Sequence, residues 1–375
     1  MNIQDTSQAI INNTAESVKL PLLADTLTEL GYGEFFACFN PLSPRLQSWT
    51  RMRSCVPEHL RASVDLFLFG EPVEAGRLPP ALLDLVPMLK ARGLLSETAQ
   101  GFLHTPDLVL LPVQGNWLFC QRPQVNPTLY FGDDSLALLM RSIPRSGKTA
   151  LDLCAGPGIQ TLHAARFADH SVGVEINPVA ADLARINMAL NGLDHKVEIL
   201  CGSLFAPLGT RRFDSVTANP PLLPFPEEIA YPFVGHGGRD GLVITKKILA
   251  GLPVHLADGG HAQIVGTTLS DGILPTTLDT LEALAEAHDL GLTMSVMSHH
   301  LLTPGSDYFD GLVATASSNT DVPPAQIAEA FANMLQEEGA THLCAFFLHA
   351  AHRTVGDLHL IDVAAVDEPG LWYIP

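Results

Sequence analysis

From about residue 148 onward, short apolar runs alternate with longer amphipathic segments, and this alternation limits the possible folds more than any other feature of the chain. The segment 178–192 begins with a proline and ends at a glycine, as helices often do. Alternation of strand and helix predicts an α/β fold with a doubly wound parallel sheet. Ligands of such sheets bind beyond the carboxyl ends of the strands, so a functional site is expected there. The runs predicted as strands are 149–154, 171–176, 196–201, 213–218 and 261–268.

The first 126 residues have a different pattern. Amphipathic helical segments at 58–70 and 79–95 precede residues 96–121, which predict strands joined by turns. Helices followed by a small hairpin predict a mainly helical, winged-helix-like domain over residues 1–126, ahead of a second domain over 127–375. A chain of 375 residues is long enough for both. Four arginines cluster in this part of the sequence, and a solvated helix face is the favoured interpretation: Arg45, Arg51, Arg53 and Arg61.

Composition narrows the class of partner. With 47% hydrophobic and 16% charged residues, the chain is expected to be globular, and a net charge of −19 disfavours nucleic acid without excluding a local basic patch. The polar N-terminus and the absence of an 18-residue apolar stretch predict a cytoplasmic protein with no membrane partner. Six cysteines without a C-x-x-C pair, and histidines without carboxylates at ligand spacing, predict no metal.

The loop after the first predicted strand is rich in glycine. In LDLCAGPGIQT, residues 151–161, Gly156 and Gly158 allow the backbone to approach a ligand closely, ahead of a helix N-terminus. Glu175 ends the second strand and is suited to accept hydrogen bonds from ribose hydroxyls, so an adenosine-type cofactor is predicted. A nicotinamide enzyme would normally show G-x-G-x-x-G, whereas Thr161 stands at the third position.

The end of the fourth predicted strand indicates which adenosine-type cofactor is bound, a nicotinamide dinucleotide or a methyl donor. There, RFDSVTANPP places Asn219 before two prolines. Pro220 biases Asn219 toward an extended conformation, and Pro221 stiffens the turn further. Such a turn can direct the Asn219 side-chain oxygen and the Pro220 carbonyl at one point, where two acceptors suit an NH or NH2 group presented to an electrophilic methyl.

Five motifs occur in order: LDLCAGPGIQT, VGVEINP, CGSLFAP, FDSVTANPPL and GGRDGL. Over residues 127–270 the chain resembles the class I S-adenosylmethionine methyltransferases that carry an N-P-P-aromatic signature. That group includes release-factor glutamine N-methyltransferases and ribosomal RNA guanine-N2 methyltransferases. The N-terminal part is similar to a bacterial branch in which a winged-helix-like region precedes the methyltransferase domain. The resemblance implies a Rossmann-like sheet of seven strands, ending in an antiparallel pair.

The resemblance also implies roles for individual residues. Glu175 would hold the ribose of S-adenosylmethionine, Ile176 would flank the adenine, and Asn219 with Pro220 would hold the nitrogen acceptor. Ser203 and Leu204 lie in the loop after the third strand, where many relatives have an acidic residue that contacts the adenine amino group. The residues that the resemblance places around the methionine part of the cofactor are Asp152, Ala155, Gly156 and Gly158.

A departure from the signature affects the acceptor. Leu222 stands where relatives have an aromatic residue, and the lost stacking, worth about 1 to 3 kcal/mol, weakens the case for a nucleobase. Residues 223–238 form a long connection of the kind that serves as a lid, with Gly235, Gly237 and Gly238 as candidate hinges. Candidates in this loop are Phe225, Tyr231 and Phe233 to replace the aromatic residue, and His236 to take a proton.

Together these features predict an S-adenosylmethionine-dependent N-methyltransferase acting on an amide or amino nitrogen of a protein or small molecule. Three alternatives stay open: a methyltransferase of ribosomal RNA guanine or another nucleobase, a biosynthetic enzyme acting on a small metabolite, and a non-enzymatic regulator that senses the cofactor. The sequence does not identify the acceptor, distinguish N- from O- or C-methylation, define the role of the N-terminal domain or give the oligomeric state.

Overall fold

A computed structural model describes residues 19–36, 51–122, 124, 127–144, 148–353 and 355–364. The predicted α/β class is confirmed: a mostly parallel sheet lies at the centre, with helices packed on it. Arg45 lies outside the described residues. Within them, no helix reaches the length and apolar character that crossing a lipid bilayer requires.

The described residues form twelve strands, which are numbered in chain order. Two hairpins come first, β1 (Ser96–Glu97) with β2 (Leu103–His104) and β3 (Leu108–Val113) with β4 (Asn116–Gln121). The other strands form one sheet: β5 (Thr149–Leu153), β6 (His170–Glu175), β7 (Val197–Cys201), β8 (Phe213–Ala218), β9 (Leu256–Ser270), β10 (Leu290–Leu301), β11 (His342–His352) and β12 (Asp357–Asp362).

The sheet has the order β12-β10-β11-β9-β8-β5-β6-β7. Strands β5 to β9 pair in parallel, and β11 is antiparallel to both of its neighbours, so the predicted antiparallel pair is confirmed. The prediction of seven strands is wrong by one. Residues 357–362 add β12 in parallel along the outer edge of β10, pairing Gly291 with Asp357 through to Val296 with Asp362.

Helices cover both faces of this sheet. A glycine, Gly158, precedes the helix Ile159–Ala165, and Asn177 caps the helix Pro178–Leu190 by accepting a hydrogen bond from Val179 N at 3.0 Å. The helices that follow residue 127 are Asp133–Arg141, Ile159–Ala165, Pro178–Leu190, Val243–His255, Leu278–Ala287, Asp307–Ser317 and Pro324–Glu337. Because β5 to β8 are parallel, the loops at their carboxyl ends lie along one edge of the sheet.

The N-terminal region contains helices followed by hairpins, as predicted. Its helices are Leu20–Glu29, Tyr32–Phe36, Glu58–Phe67, Pro80–Leu83 and Val86–Ala91. The single helix predicted over 79–95 is wrong: it is two short helices, because Pro87 lacks an N–H and restricts the residue before it. Similarity to a winged helix stays a prediction.

The N-terminal region and the sheet region share one apolar cluster. Leu23 and Leu27 of the first helix and Phe119 of β4 belong to the same buried set as Leu183 and Ile186. The helix Pro178–Leu190 therefore packs between the sheet and the N-terminal helices and hairpin. The predicted domain boundary at residue 126 stays a prediction, because one buried apolar cluster contains residues from both sides of it.

Candidate functional site

A cavity of about 270 Å³ lies at the carboxyl ends of β5, β6, β7 and β8. This is the edge at which a doubly wound sheet binds its ligands. The loop after β5 and the segment before the helix Asp133–Arg141 both line it. Of the residues predicted from the sequence, the lining includes Ala155, Gly156, Glu175, Ile176, Ser203, Leu204, Asn219, Pro221 and Phe233.

The loop after β5 turns through alternating left-handed residues. Cys154, Gly156 and Gly158 have φ values of 58°, 54° and 92°. Gly156 lines the cavity, but Gly158 does not. A Cβ atom on Gly158 would lie 2.7 Å from the Met188 Cε atom and 3.2 Å from the Ala184 Cβ atom, so this glycine permits close packing of the helix Pro178–Leu190.

Asp152 also lies behind the cavity and not in its wall, contrary to the predicted contact with the methionine part of the cofactor. Its carboxylate accepts hydrogen bonds from the Thr161 N and Oγ1 atoms at 3.0 and 2.7 Å, and from the Thr217 Oγ1 atom at 3.2 Å. Burial raises the pKa of Asp152 to about 7, although these hydrogen bonds lower it. Asp152 therefore connects β5, β8 and the helix after the glycine loop.

Glu175 is a buried carboxylate whose two oxygens hold the backbone around the cavity. The Gly156 N atom donates to Oε2 at 2.8 Å and the Asn177 N atom donates to Oε1 at 2.7 Å. Each oxygen retains a second lone pair. Beside it, Ile176 is 50% exposed and presents an apolar surface to the cavity. A carboxylate at a strand end next to an exposed apolar side chain fits a ribose and its attached base.

Asn219 lies at the end of β8 with its amide held in one orientation. The Nδ2 atom donates to the Ser135 Oγ atom at 3.1 Å. The Oδ1 atom is buried and has no hydrogen-bond partner among the described residues. A buried acceptor without a partner costs free energy, so it marks a position where a ligand N–H would be bound. Pro221 lines the same cavity, whereas Pro220 is buried outside the lining.

Asp134 is a buried carboxyl group beside Asn219 and Tyr130. Burial raises its pKa, while the Tyr130 hydroxyl, the Ser135 N atom and the Asn219 amide act in the other direction. The Ser135 N atom donates to it at 2.7 Å. The Tyr130 hydroxyl and the Asn219 amide thus both lie near this carboxyl group.

A second cavity, of about 360 Å³, adjoins the first across Pro127, Tyr130 and Val234, which line both. Leu222 and Tyr231 line this second cavity. Its described lining includes two aspartates and a histidine but no lysine or arginine. Burial, followed by the neighbouring His299 and His342, lowers the pKa of that histidine, His300, so it carries little charge near neutral pH.

Two residues predicted to contact the acceptor lie elsewhere. Phe225 is fully buried, with its ring centroid 4.6 Å from that of Tyr231 and 5.3 Å from that of Phe331, and it lines neither cavity. His236 is also outside both linings, and its Nδ1 atom accepts a hydrogen bond from the Gly238 N atom at 3.1 Å. Phe225 cannot stack on an acceptor, and His236 organises its own loop.

The predicted hinges of the 223–238 loop are held firmly. The Leu223 N atom donates to the Gly235 O atom at 2.8 Å and the Gly237 N atom donates to the Leu223 O atom at 2.9 Å. A Cβ atom on Gly237 would lie 2.7 Å from the Leu222 backbone, so this glycine permits close packing. The lid over residues 223–238 and its hinges stay a prediction. Phe233 is 67% exposed at the rim of the first cavity.

Several lining residues were missed from the sequence. Tyr130, Asp134 and Ser135 come from the segment YFGDDS, residues 130–135, and Lys247 comes from the helix Val243–His255. The available signal was a pair of aspartates at a helix N-terminus immediately before the first strand of the sheet. Lys247 had no signal, because its position follows from how that helix crosses the sheet.

Comparison with known proteins agrees with this geometry. The family model described as "Methyltransferase small domain" matches residues 131–289. A putative protein N5-glutamine methyltransferase of Methanocaldococcus jannaschii is 32% identical over 153 residues, which cover 39% of this chain and 76% of that protein. The chain belongs to the class I methyltransferases. S-adenosylmethionine is the cofactor of this class, and the residues around the first cavity fit it.

Two further methyltransferases are similar to the chain. A ribosomal protein uL3 glutamine methyltransferase of Bradyrhizobium diazoefficiens is 38% identical over 149 residues, covering 36% of this chain and 46% of that protein. A ribosomal protein uL3 glutamine methyltransferase of Bordetella pertussis is 30% identical over 237 residues, covering 55% of this chain and 78% of that protein. The chain thus spans less than half the length of the first of these methyltransferases.

Proposed function

We propose that this methyltransferase modifies the side-chain amide nitrogen of a glutamine in a protein. The observation that carries the proposal is the buried Asn219 Oδ1 atom, which has no partner among the described residues while Nδ2 is held by Ser135. An acceptor oxygen held in this way suits a primary amide, whose nitrogen carries two hydrogens. The names of the relatives, which are glutamine methyltransferases of proteins, support the same assignment.

We divide the chemistry between the cofactor, the residues that bind the cofactor and the residues that bind the acceptor. S-adenosylmethionine, when bound, supplies an electrophilic methyl group on a positively charged sulfur. We assign Glu175 to the ribose and Ile176 to the adenine, with Ala155, Gly156, Ser203 and Leu204 completing the wall. Asn219 Oδ1 accepts one acceptor N–H. Pro220 is outside the lining of the first cavity, but its carbonyl directly follows Asn219 in the chain and is proposed for the other N–H. Fixing both hydrogens orients the nitrogen, and orientation of this kind supplies much of a transfer rate.

A protein acceptor fits the second cavity better than a nucleobase does. Leu222 occupies the position of the signature aromatic residue and is buried with Leu138 and Val265, so it offers no ring for stacking. Tyr231, a predicted replacement, does line this cavity, so it is charge that disfavours a nucleobase. The described lining has no lysine or arginine to meet a phosphate, and the net charge of −19 opposes an RNA backbone. Small-molecule acceptors are distinguished from proteins by the experiment below.

A cytoplasmic location is part of the proposal. Every described cysteine is a free thiol, namely Cys55, Cys120, Cys154, Cys201 and Cys344. Free thiols are typical of a reducing compartment. Ribosomal proteins and release factors, which appear in the names of the relatives, are the class of acceptor we expect.

The proposal is tested by labelling. The purified chain is incubated with methyl-tritiated S-adenosylmethionine and an extract of cells that lack it, and portions are then treated with protease or ribonuclease. We expect protease-sensitive label in a macromolecular fraction, with N5-methylglutamine recovered after enzymatic digestion to single amino acids. Label released by ribonuclease, or found only among small molecules, would contradict the proposal and identify one of the alternative acceptor classes.

A further inference from the structure

The outer edge of β4 is covered by two asparagine side chains in place of another strand. Asn187 and Asn191 lie one turn apart on the helix Pro178–Leu190 and its C-terminal cap. The Phe119 N atom donates to Asn187 Oδ1 at 2.8 Å, and Asn187 Nδ2 donates to the Phe119 O atom at 2.9 Å. Asn191 makes the same pair of bonds with Trp117, at 2.8 and 2.7 Å. Each amide therefore pairs with the hairpin as a strand residue would.

Only one of these two amides also reaches the cofactor loop. Asn187 Nδ2 donates a further hydrogen bond to the Pro157 O atom at 2.8 Å. The remaining bond of Asn191 goes instead to the Asn187 O atom in its own helix, at 2.8 Å. Asn187 is fully buried, so none of its bonds has water as a ready substitute.

Pro157 lies between the two glycines of the loop and lines the first cavity. The Gly156 N atom is held on the other side by Glu175, at 2.8 Å. Two side chains thus fix the peptide units on either side of this turn. Glu175 lies at the end of β6, and Asn187 lies on the helix that hydrogen-bonds to the hairpin. A shift of the hairpin relative to that helix would be transmitted to the loop through Asn187.

We infer that Asn187 is a positioning residue that couples docking of the N-terminal hairpin to the shape of the cofactor loop. The strands β3 and β4 do not line the cavity. On this basis the N-terminal region acts on the cofactor site indirectly, through the hydrogen bonds of Asn187. Coupling between two positions is reciprocal, so binding of the cofactor should also tighten the contact with Phe119. The inference concerns cofactor binding and does not depend on which acceptor is methylated.

Asn191 provides a matched control. Asn187→Ala and Asn191→Ala each remove one side-chain amide and its pair of bonds to β4, but only the first leaves the Pro157 carbonyl without its donor. Binding of S-adenosylhomocysteine to the full chain is measured by titration calorimetry at 15 °C, with thermal unfolding as a check of folding. We expect Kd to rise about tenfold for Asn187→Ala and less than about threefold for Asn191→Ala, with Tm lowered in both. Equal changes in Kd, or a change below about twofold for Asn187→Ala, would overturn the inference.

A measurement on the unaltered protein covers the case in which Asn187→Ala does not fold. Hydrogen exchange of the Phe119 amide, which donates to Asn187, is compared with that of the Trp117 amide, which donates to Asn191. Saturating S-adenosylhomocysteine should slow exchange at Phe119 by about fivefold or more relative to Trp117. Equal slowing of the two amides, or no slowing at Phe119, would show that the hairpin and the loop are not coupled through Asn187.

Discussion

Replacement of Asn219 by alanine tests the central feature of the site. The variant removes Oδ1, the buried acceptor without a partner among the described residues, together with Nδ2, which donates to Ser135 Oγ at 3.1 Å. An acceptor N–H that enters the site would then meet no oxygen on this side. A buried donor left unpaired costs about 1 to 3 kcal/mol. Taking 2 to 3 kcal/mol as a rough range, kcat/KM should fall about 30- to 150-fold.

The assay is the initial rate of tritiated methyl transfer into the acceptor fraction found by labelling, with binding of S-adenosylhomocysteine measured in parallel. Cofactor affinity should stay within about threefold, because Glu175 and the glycine loop are unchanged. A normal cofactor Kd with a reduced rate would locate the defect at the acceptor. Transfer by Asn219→Ala within about threefold of the wild-type rate would refute the assignment.

Ser135→Ala is the matched control for this prediction. It keeps the Asn219 Oδ1 atom and removes the Ser135 hydroxyl to which Nδ2 donates. Because the acceptor oxygen itself is retained, the rate should fall by only about three- to tenfold. An equal loss in Ser135→Ala and Asn219→Ala would mean that the surroundings of Ser135, and not the Asn219 oxygen, determine the rate.

Three further predictions concern the walls of the two cavities. Glu175→Ala should raise the Kd of S-adenosylhomocysteine about 10- to 100-fold in calorimetry, because the carboxylate holds the loop and is assigned to the ribose; an unchanged Kd would remove that assignment. Tyr130→Ala should raise KM for the acceptor by a larger factor than it raises cofactor Kd, since Tyr130 lines the second cavity as well as the first, whereas an effect on cofactor Kd alone would contradict this position. For Asp152, whose pKa rises from 3.8 to about 7 on folding, the unfolded chain ionises first, so the carboxyl destabilises the fold increasingly between pH 4 and pH 7. Asp152→Asn should therefore gain stability relative to wild type between pH 5 and pH 8, by at most about 3 kcal/mol in urea unfolding, and a difference independent of pH would refute the shift.

Local patterns were sufficient for the strands β5 to β8 of the parallel part of the sheet. The strands β5 to β8 and the helices between them follow from apolar runs, glycines and prolines that act within a few residues of each other. The length of β9 and the presence of β12 did not follow from pattern. Residues 357–362 are half-exposed or exposed and become a strand because β10 offers a free edge for pairing.

Some of the site residues predicted from the sequence line the cavity, and others do not. Glu175 and Asn219 were recognisable because a parallel sheet brings the ends of its strands to one edge, and both line the cavity. Asp152 and Gly158 belong to the same motif but turn away from the cavity. Whether a loop residue faces the ligand or the protein depends on its φ value and on what packs behind it, and neither is encoded by spacing alone.

By itself, the sequence determined the α/β class, the edge of the sheet that carries the site and the residue types at its strand ends, because these depend on short-range periodicity and strand direction. Only the tertiary structure decided that Asn219 meets Ser135, 84 residues away, and that Asn187 joins the hairpin to the glycine loop. Contacts of this kind form when helices and strands distant in the chain pack together. Their geometry is therefore set by the whole folded core and not by any local pattern.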